Sequence, residues 1–146
     1  MSILENVLPA LEFTRAAVTG VGIPGVEGAI NGVVQLATMV STMKANMEDL
    51  PDLEKGLNKL IALDGSYCAG ELKQRLSALQ GNLKPIADRC KSLIHKSGIK
   101  QFLKSNVYEK EIQGMKASLA SHIRDFTFQG GISIEKLASD MAPKGM

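Results

Sequence analysis

Residues 16–43 read AAVTGVGIPGVEGAINGVVQLATMVSTM and carry one formal charge, Glu27. The rest of the chain is charged every few residues, so this stretch has to be hidden. It can hide in a protein core, against a partner, or in lipid. One uninterrupted transmembrane helix does not fit it. A span needs roughly 20 continuous apolar residues, and Gly20, Gly22, Pro24 and Gly25 interrupt the run. Proline removes a backbone donor and glycine weakens a helix interior. The spacing predicts a helix up to about Thr19, a turn at residues 20–25, and a second helix from about Val26 to Met47. Gly28 and Gly32 make a G-x-x-x-G spacing, which lets two helices approach closely. That spacing suits tight packing in a bundle, and it suits a hydrophobic hairpin able to leave the bundle for a membrane.

The second helix is apolar nearly all round. Ile30, Val33, Ala37 and Val40 recur at helical spacing, and Val34, Leu36, Met39 and Met43 widen the surface. Such a helix is buried on most sides or lies in lipid. Before it, Ser2 and Glu5 form a capping box. Leu4, Leu8, Leu11 and Val18 follow on one face, with Val7 and Ala17 beside them, and Pro9 bends the helix or marks its beginning. After it, residues 49–52 read as a break centred on Pro51. Leu53, Leu57, Leu60 and Ile61 then make a third stripe, closed by Asp64-Gly65-Ser66. From Cys68 to Ser97 the seam Leu72, Leu76, Leu79, Leu83, Ile86, Cys90 and Leu93 alternates steps of four and three, a heptad pattern. Pro85 lies off that seam, and Gly98 should stop the helix. A fifth stripe runs Tyr108, Ile112, Met115, Leu119, His122 or Ile123, and Phe126, ended by Gly130-Gly131. Residues 132–141 read as a short helix or strand docked on the rest. These segments predict an all-α, antiparallel bundle, with residues 1–130 as its body and 131–146 as a short tail.

The chain has 146 residues, enough for one domain with a real core. A net charge of +2, no Trp and few aromatics argue against nucleic-acid binding by electrostatics or stacking. No nucleophile–base pair, phosphate loop or Cys/His ligand set is present, so catalytic residues, metal and cofactors are expected to be none. Glu48, Asp49, Asp52 and Glu54 lack the glycine-turned spacing of a calcium loop. Cys68 and Cys90 read as two reduced thiols. Charge placement says more. Residues 84–116 hold eight basic residues against three acidic ones, a net +5. Lys84, Arg89, Lys91, Lys96, Lys100 and Lys104 are candidates for anionic headgroups, at about 1 kcal/mol per basic residue near a charged surface. An ordinary solvated face is the competing reading.

The segment IKQFLKSNVYEKEIQGMKASLASHIRDF resembles the fourth-helix region of the N-terminal bundle of mixed lineage kinase domain-like pseudokinases and their fungal relatives. A basic connector, Lys100, Phe102, Leu103, Lys104 and Ser105, precedes a helix carrying Glu111, Ile112, Leu119 and Phe126. The opening ALEFTRAAVTGVGIPGVEGAINGVVQLATMV is similar to the start of fungal members, with Ile23-Pro24-Gly25 at the turn. The resemblance covers residues 8–128 and extends to HeLo-type domains of fungal incompatibility proteins and to coiled-coil domains of plant mildew-resistance proteins. It implies a four-helix bundle with an additional C-terminal brace segment. It also implies a non-enzymatic, cytoplasmic protein, recruited to anionic phospholipid membranes, that forms homo-oligomers and executes regulated cell death. In animal members, basic residues of the bundle bind phosphoinositide or cardiolipin headgroups; here the matching positions are Lys96, Lys100 and Lys104. The apolar surface offered to lipid or to other copies would comprise Val26, Gly28, Ile30, Gly32, Val33, Leu36 and Val40. Family members continue into a sensor domain, so a homologous domain of a sensor protein is a further possible partner. A signalling adaptor that docks such a domain without touching lipid stands as the alternative.

Overall fold

The computed structural model describes residues 4–21, 26–44, 47–63, 70–99, 105–129 and 132–133. They form five helices: α1 (Leu4–Val21), α2 (Val26–Thr42), α3 (Leu50–Ile61), α4 (Gly70–Ile99) and α5 (Ser105–Thr127). The fold is all-α apart from one small ladder, β1 (Phe128–Gln129) and β2 (Ile132–Ser133), paired antiparallel with Phe128 opposite Ser133. Gly130 and Gly131 separate the two strands, a composition that two-residue hairpin connections favour. The Ser2–Glu5 capping box, the 20–25 turn, the 64–66 stop and residues 134–146 fall outside the described residues or side chains.

The helices α2, α3, α4 and α5 pack in sequence, and α5 returns to α2. The first helix, α1, lies against α2 and α5. This arrangement explains why α2 is apolar nearly all round: three helices cover it. Ile30, Val33, Ala37 and Val40 are wholly buried, and Val34 and Leu36 almost so. Cross-helix contacts fix the directions. Gly32 faces Leu60 and Leu63, and Gly56 faces Met39, so α3 runs antiparallel to α2. Arg75 reaches Phe126, and Arg89 reaches Glu111, so α5 runs antiparallel to α4.

Several predicted boundaries move, each for a local reason. The second helix ends at Thr42, well before Met47. Ser41 donates to the Thr38 carbonyl at 2.9 Å, and Thr42 donates to Thr38 and Met39 carbonyls at 3.0 and 3.3 Å. Hydroxyls that bond backward onto their own helix compete with its continuation. The Lys44 N–H then turns to the Asp49 carboxylate at 2.9 Å. The break therefore falls ahead of Asp49. Pro51 sits inside the first turn of α3, where its missing N–H would have had no partner. At its far end α4 passes through Gly98 to Ile99, and it continues through Pro85, whose side is exposed. The last helix stops at Thr127, before the two glycines.

The stripes mostly hold. Leu53, Leu57 and Leu60 are buried with Leu50 added, and so are Leu72, Leu76, Leu79, Leu83, Cys90 and Leu93. Ile123 takes the α5 seam and His122 is half-buried beside it. On α1 the buried line is Val7, Leu11 and Thr14, which turns Leu8 to the margin. The Thr14 hydroxyl donates to the Ala10 carbonyl at 2.7 Å, so a polar side chain is buried with its hydrogen bond made within its own helix.

Candidate membrane and partner interface

Two sets of residues were expected to act, and the fold treats them differently. Ile30, Val33, Leu36 and Val40 lie in the core in this state. The two glycines of the G-x-x-x-G spacing part company. A side chain at Gly32 would stand 3.0 Å from a Leu60 methyl and 3.3 Å from a Leu63 methyl, whereas Gly28 has nothing within 4 Å. Gly32 is thus the point where α2 and α3 approach closely, and Gly28 is exposed. The side chain of Val26 lies outside the description.

Of the basic set, Lys84 and Lys91 project from α4 into solvent. Arg89, between them, is engaged with Glu111 of α5. Lys96 falls on α4, but its side chain, like Lys100 and Lys104, lies outside the described residues. Of the four carboxylates near this turn, Glu48 and Asp52 are exposed and Asp49 and Glu54 are half-buried. Among the described residues no group of three or more His, Cys, Asp or Glu could hold a metal. Cys90 is free and buried. Burial, with the negative charge of Glu54 adding to it, pushes its thiol up to about 12, so at neutral pH it is a protonated apolar group and no nucleophile.

Three features were not legible from spacing. Phe13, on the outer side of α1, is 61% exposed. It sits off the Val7–Leu11–Thr14 line, which is the signal that could have found it. Between α2 and α3 runs a cleft of about 430 Å³ lined by Met39, Met43, Asp52, Lys55 and Gly56, adjoining a second of about 270 Å³ over Gly32, Leu60 and Leu63. Its walls are small or flexible residues with a mixed-charge rim. Finally, long polar side chains close helix ends on neighbouring helices. Gln80 of α4 lies 3.1, 3.3 and 2.9 Å from the carbonyls of Leu60, Ile61 and Leu63. Arg75, itself buried, donates to the Phe126 carbonyl at 3.1 Å and to Glu71 at 2.9 Å. Lys116 of α5 donates to the Met43 carbonyl at 2.9 Å.

Among the described residues no helix is long and apolar enough to cross a membrane. Comparison of the chain with protein-family models, curated proteins and solved structures finds no match.

Proposed function

We propose that this chain is a membrane-interacting, self-associating helical bundle of the HeLo-like kind, acting without catalysis in regulated cell death. On this reading α2–α5 form the four-helix body, and the segment after Gly130 is the brace. A basic side running from Lys84 towards Lys104 meets anionic lipid, and the apolar hairpin of residues 16–43 then moves from core to bilayer or to an interface between copies.

The observation that carries the reading is the state of four hydroxyls in α1 and α2. Thr14, Thr38, Ser41 and Thr42 all donate to carbonyls of their own helix. A hydroxyl moved into an apolar phase costs free energy unless it is hydrogen-bonded. Those four hydroxyls would enter lipid with their bonds already made. Together with the single formal charge in residues 16–43, that lowers the cost of exchanging core for bilayer.

The adaptor alternative has its own support. Ile30, Val33, Leu36 and Val40 are already consumed by the core, and the exposed Phe13 and the α2–α3 cleft suit a protein partner. Dye release from vesicles separates the two. Vesicles with and without anionic lipid are compared at low and high salt, for the wild type and a Lys96→Glu/Lys100→Glu/Lys104→Glu variant. Salt-sensitive leakage that the variant loses is the expected result. Neither binding nor leakage at low salt sinks the membrane reading, and co-purification of a partner unaffected by the variant then favours the adaptor.

A further inference from the structure

The three helix ends closed by neighbouring helices are not held equally. At the end of α3, Gln80 has three carbonyls within reach of its two N–H donors. At the end of α5, the Arg75 guanidinium is buried and is itself fixed by Glu71. At the end of α2, the tie to another helix seen among the described residues is the bond from the half-buried Lys116 ammonium to the Met43 carbonyl. Ser41 and Thr42 donate within α2, and the Lys44 N–H reaches Asp49 a few residues on.

We infer that Lys116 is a latch on α2, and that an anionic lipid surface opens it. The bond joins a full positive charge to a neutral carbonyl. A headgroup phosphate is a stronger acceptor for the same ammonium, because its own negative charge adds ion–ion attraction to the hydrogen bond. Lys116 is the last basic residue of the segment 84–116, and on this proposal the surface that draws the segment in also competes for the latch. Recruitment then also loosens the end of α2. Lys116 acts here as a positioning residue through the end of α2. Its role in lipid insertion rests on the membrane reading above; the Lys116 bond at the end of α2 is a property of the protein in water.

Hydrogen exchange of the full chain tests both parts. In wild type without lipid, the amides of residues 39–43 should exchange ahead of residues 58–61, the end held by Gln80. The reverse order overturns the latch, and this comparison needs no variant. Lys116→Met keeps the aliphatic stem and removes the donor. It should speed residues 39–43 by roughly tenfold, as expected for losing one bond from a charged donor, and leave residues 58–61 unchanged; Lys116→Arg should stay near wild type. Uniform acceleration, or none, overturns the latch. Vesicles of phosphatidylcholine with phosphatidylserine should then speed residues 39–43 in wild type and add nothing in Lys116→Met, while phosphatidylcholine alone does nothing. Unchanged exchange with anionic vesicles overturns the lipid trigger even where the latch holds in water. Faster exchange without dye leakage would instead count against the membrane-permeabilising reading and leave the latch standing.

Discussion

Cys90 shows how far a residue can be taken from its side chain and its surroundings. It sits in the α4 seam among leucines, fully buried, with its thiol pushed up to about 12 from the ordinary value of 9.0. The folded protein therefore holds this proton at pH values where the unfolded chain releases it. A group whose folded pKa is raised contributes stability that is fully present below the unfolded value and is lost as pH climbs towards the folded one. Cys90 should thus weaken the fold between pH 9 and 12 and be neutral to it at pH 7. Urea denaturation of the wild type and Cys90→Ala at pH 7 and pH 10 checks this: the variant starts less stable from its lost packing, and the gap should narrow at pH 10. Iodoacetamide at pH 8 should leave Cys90 unmodified until the protein unfolds. Rapid labelling of the native state would show that the seam opens far more readily than its packing implies.

At the scale of elements, α2 and α3 carry the close approach that the glycine spacing announced, but at one glycine only. Alanine in a helix interior is favoured over glycine by about 1 kcal/mol. At Gly28 nothing opposes that gain, so Gly28→Ala should stabilise by about 0.5–1 kcal/mol. At Gly32 the new methyl stands 3.0 Å from a Leu60 methyl and 3.3 Å from a Leu63 methyl, so both packed leucines must shift to admit it. Overpacking of this kind costs about 1–3 kcal/mol, so Gly32→Ala should come out net destabilising. Urea midpoints of the two variants give the comparison, and equal shifts would mean that the α2–α3 contact is looser than these distances. The same pair of helices marks the limit of reading from sequence. The periodic stripes of α3, α4 and α5 were legible because each buries one face, and period alone fixes which. The end of α2 was not, because an all-round apolar pattern has no phase to run out, and the hydroxyls that bond backward in its last turn carry no periodic signal. Lys116, Gln80 and Arg75 were illegible for another reason. Their partners are backbone carbonyls 73, about 20 and 51 residues away, and a carbonyl leaves no mark in a sequence. The basic set was legible as charge, yet not which members were free, since pairing of Arg89 with Glu111 depends on how α4 meets α5.

At the scale of the whole molecule the question is what moving α2 would cost, and where the driving force could come from. Ile30, Val33, Val34, Leu36 and Val40 are buried, and each such side chain loses about 1.5–3 kcal/mol on exposure to water. Exposure of α2 to water is therefore closed as a route; a transfer straight into another apolar phase is not. Recruitment has to come first, and it has to come from charge. Lys84 and Lys91 are solvated and unpinned on α4, whereas Arg89 is committed to Glu111. A Lys84→Gln/Lys91→Gln variant should lose about 2 kcal/mol of affinity for anionic vesicles, at about 1 kcal/mol per basic residue. That is roughly thirtyfold in the association constant. Arg89→Gln should lose less, because its charge is already offset by Glu111, and should show a small loss of fold stability instead, of the 0–1 kcal/mol typical of partly exposed pairs. Vesicle co-sedimentation at low ionic strength measures both. Raising the salt should erase the difference between them, since the screening length falls to about 10 Å at 0.1 M. A larger effect of Arg89→Gln than of the double lysine variant would move the lipid-facing side off this part of α4 and onto the connector that follows it.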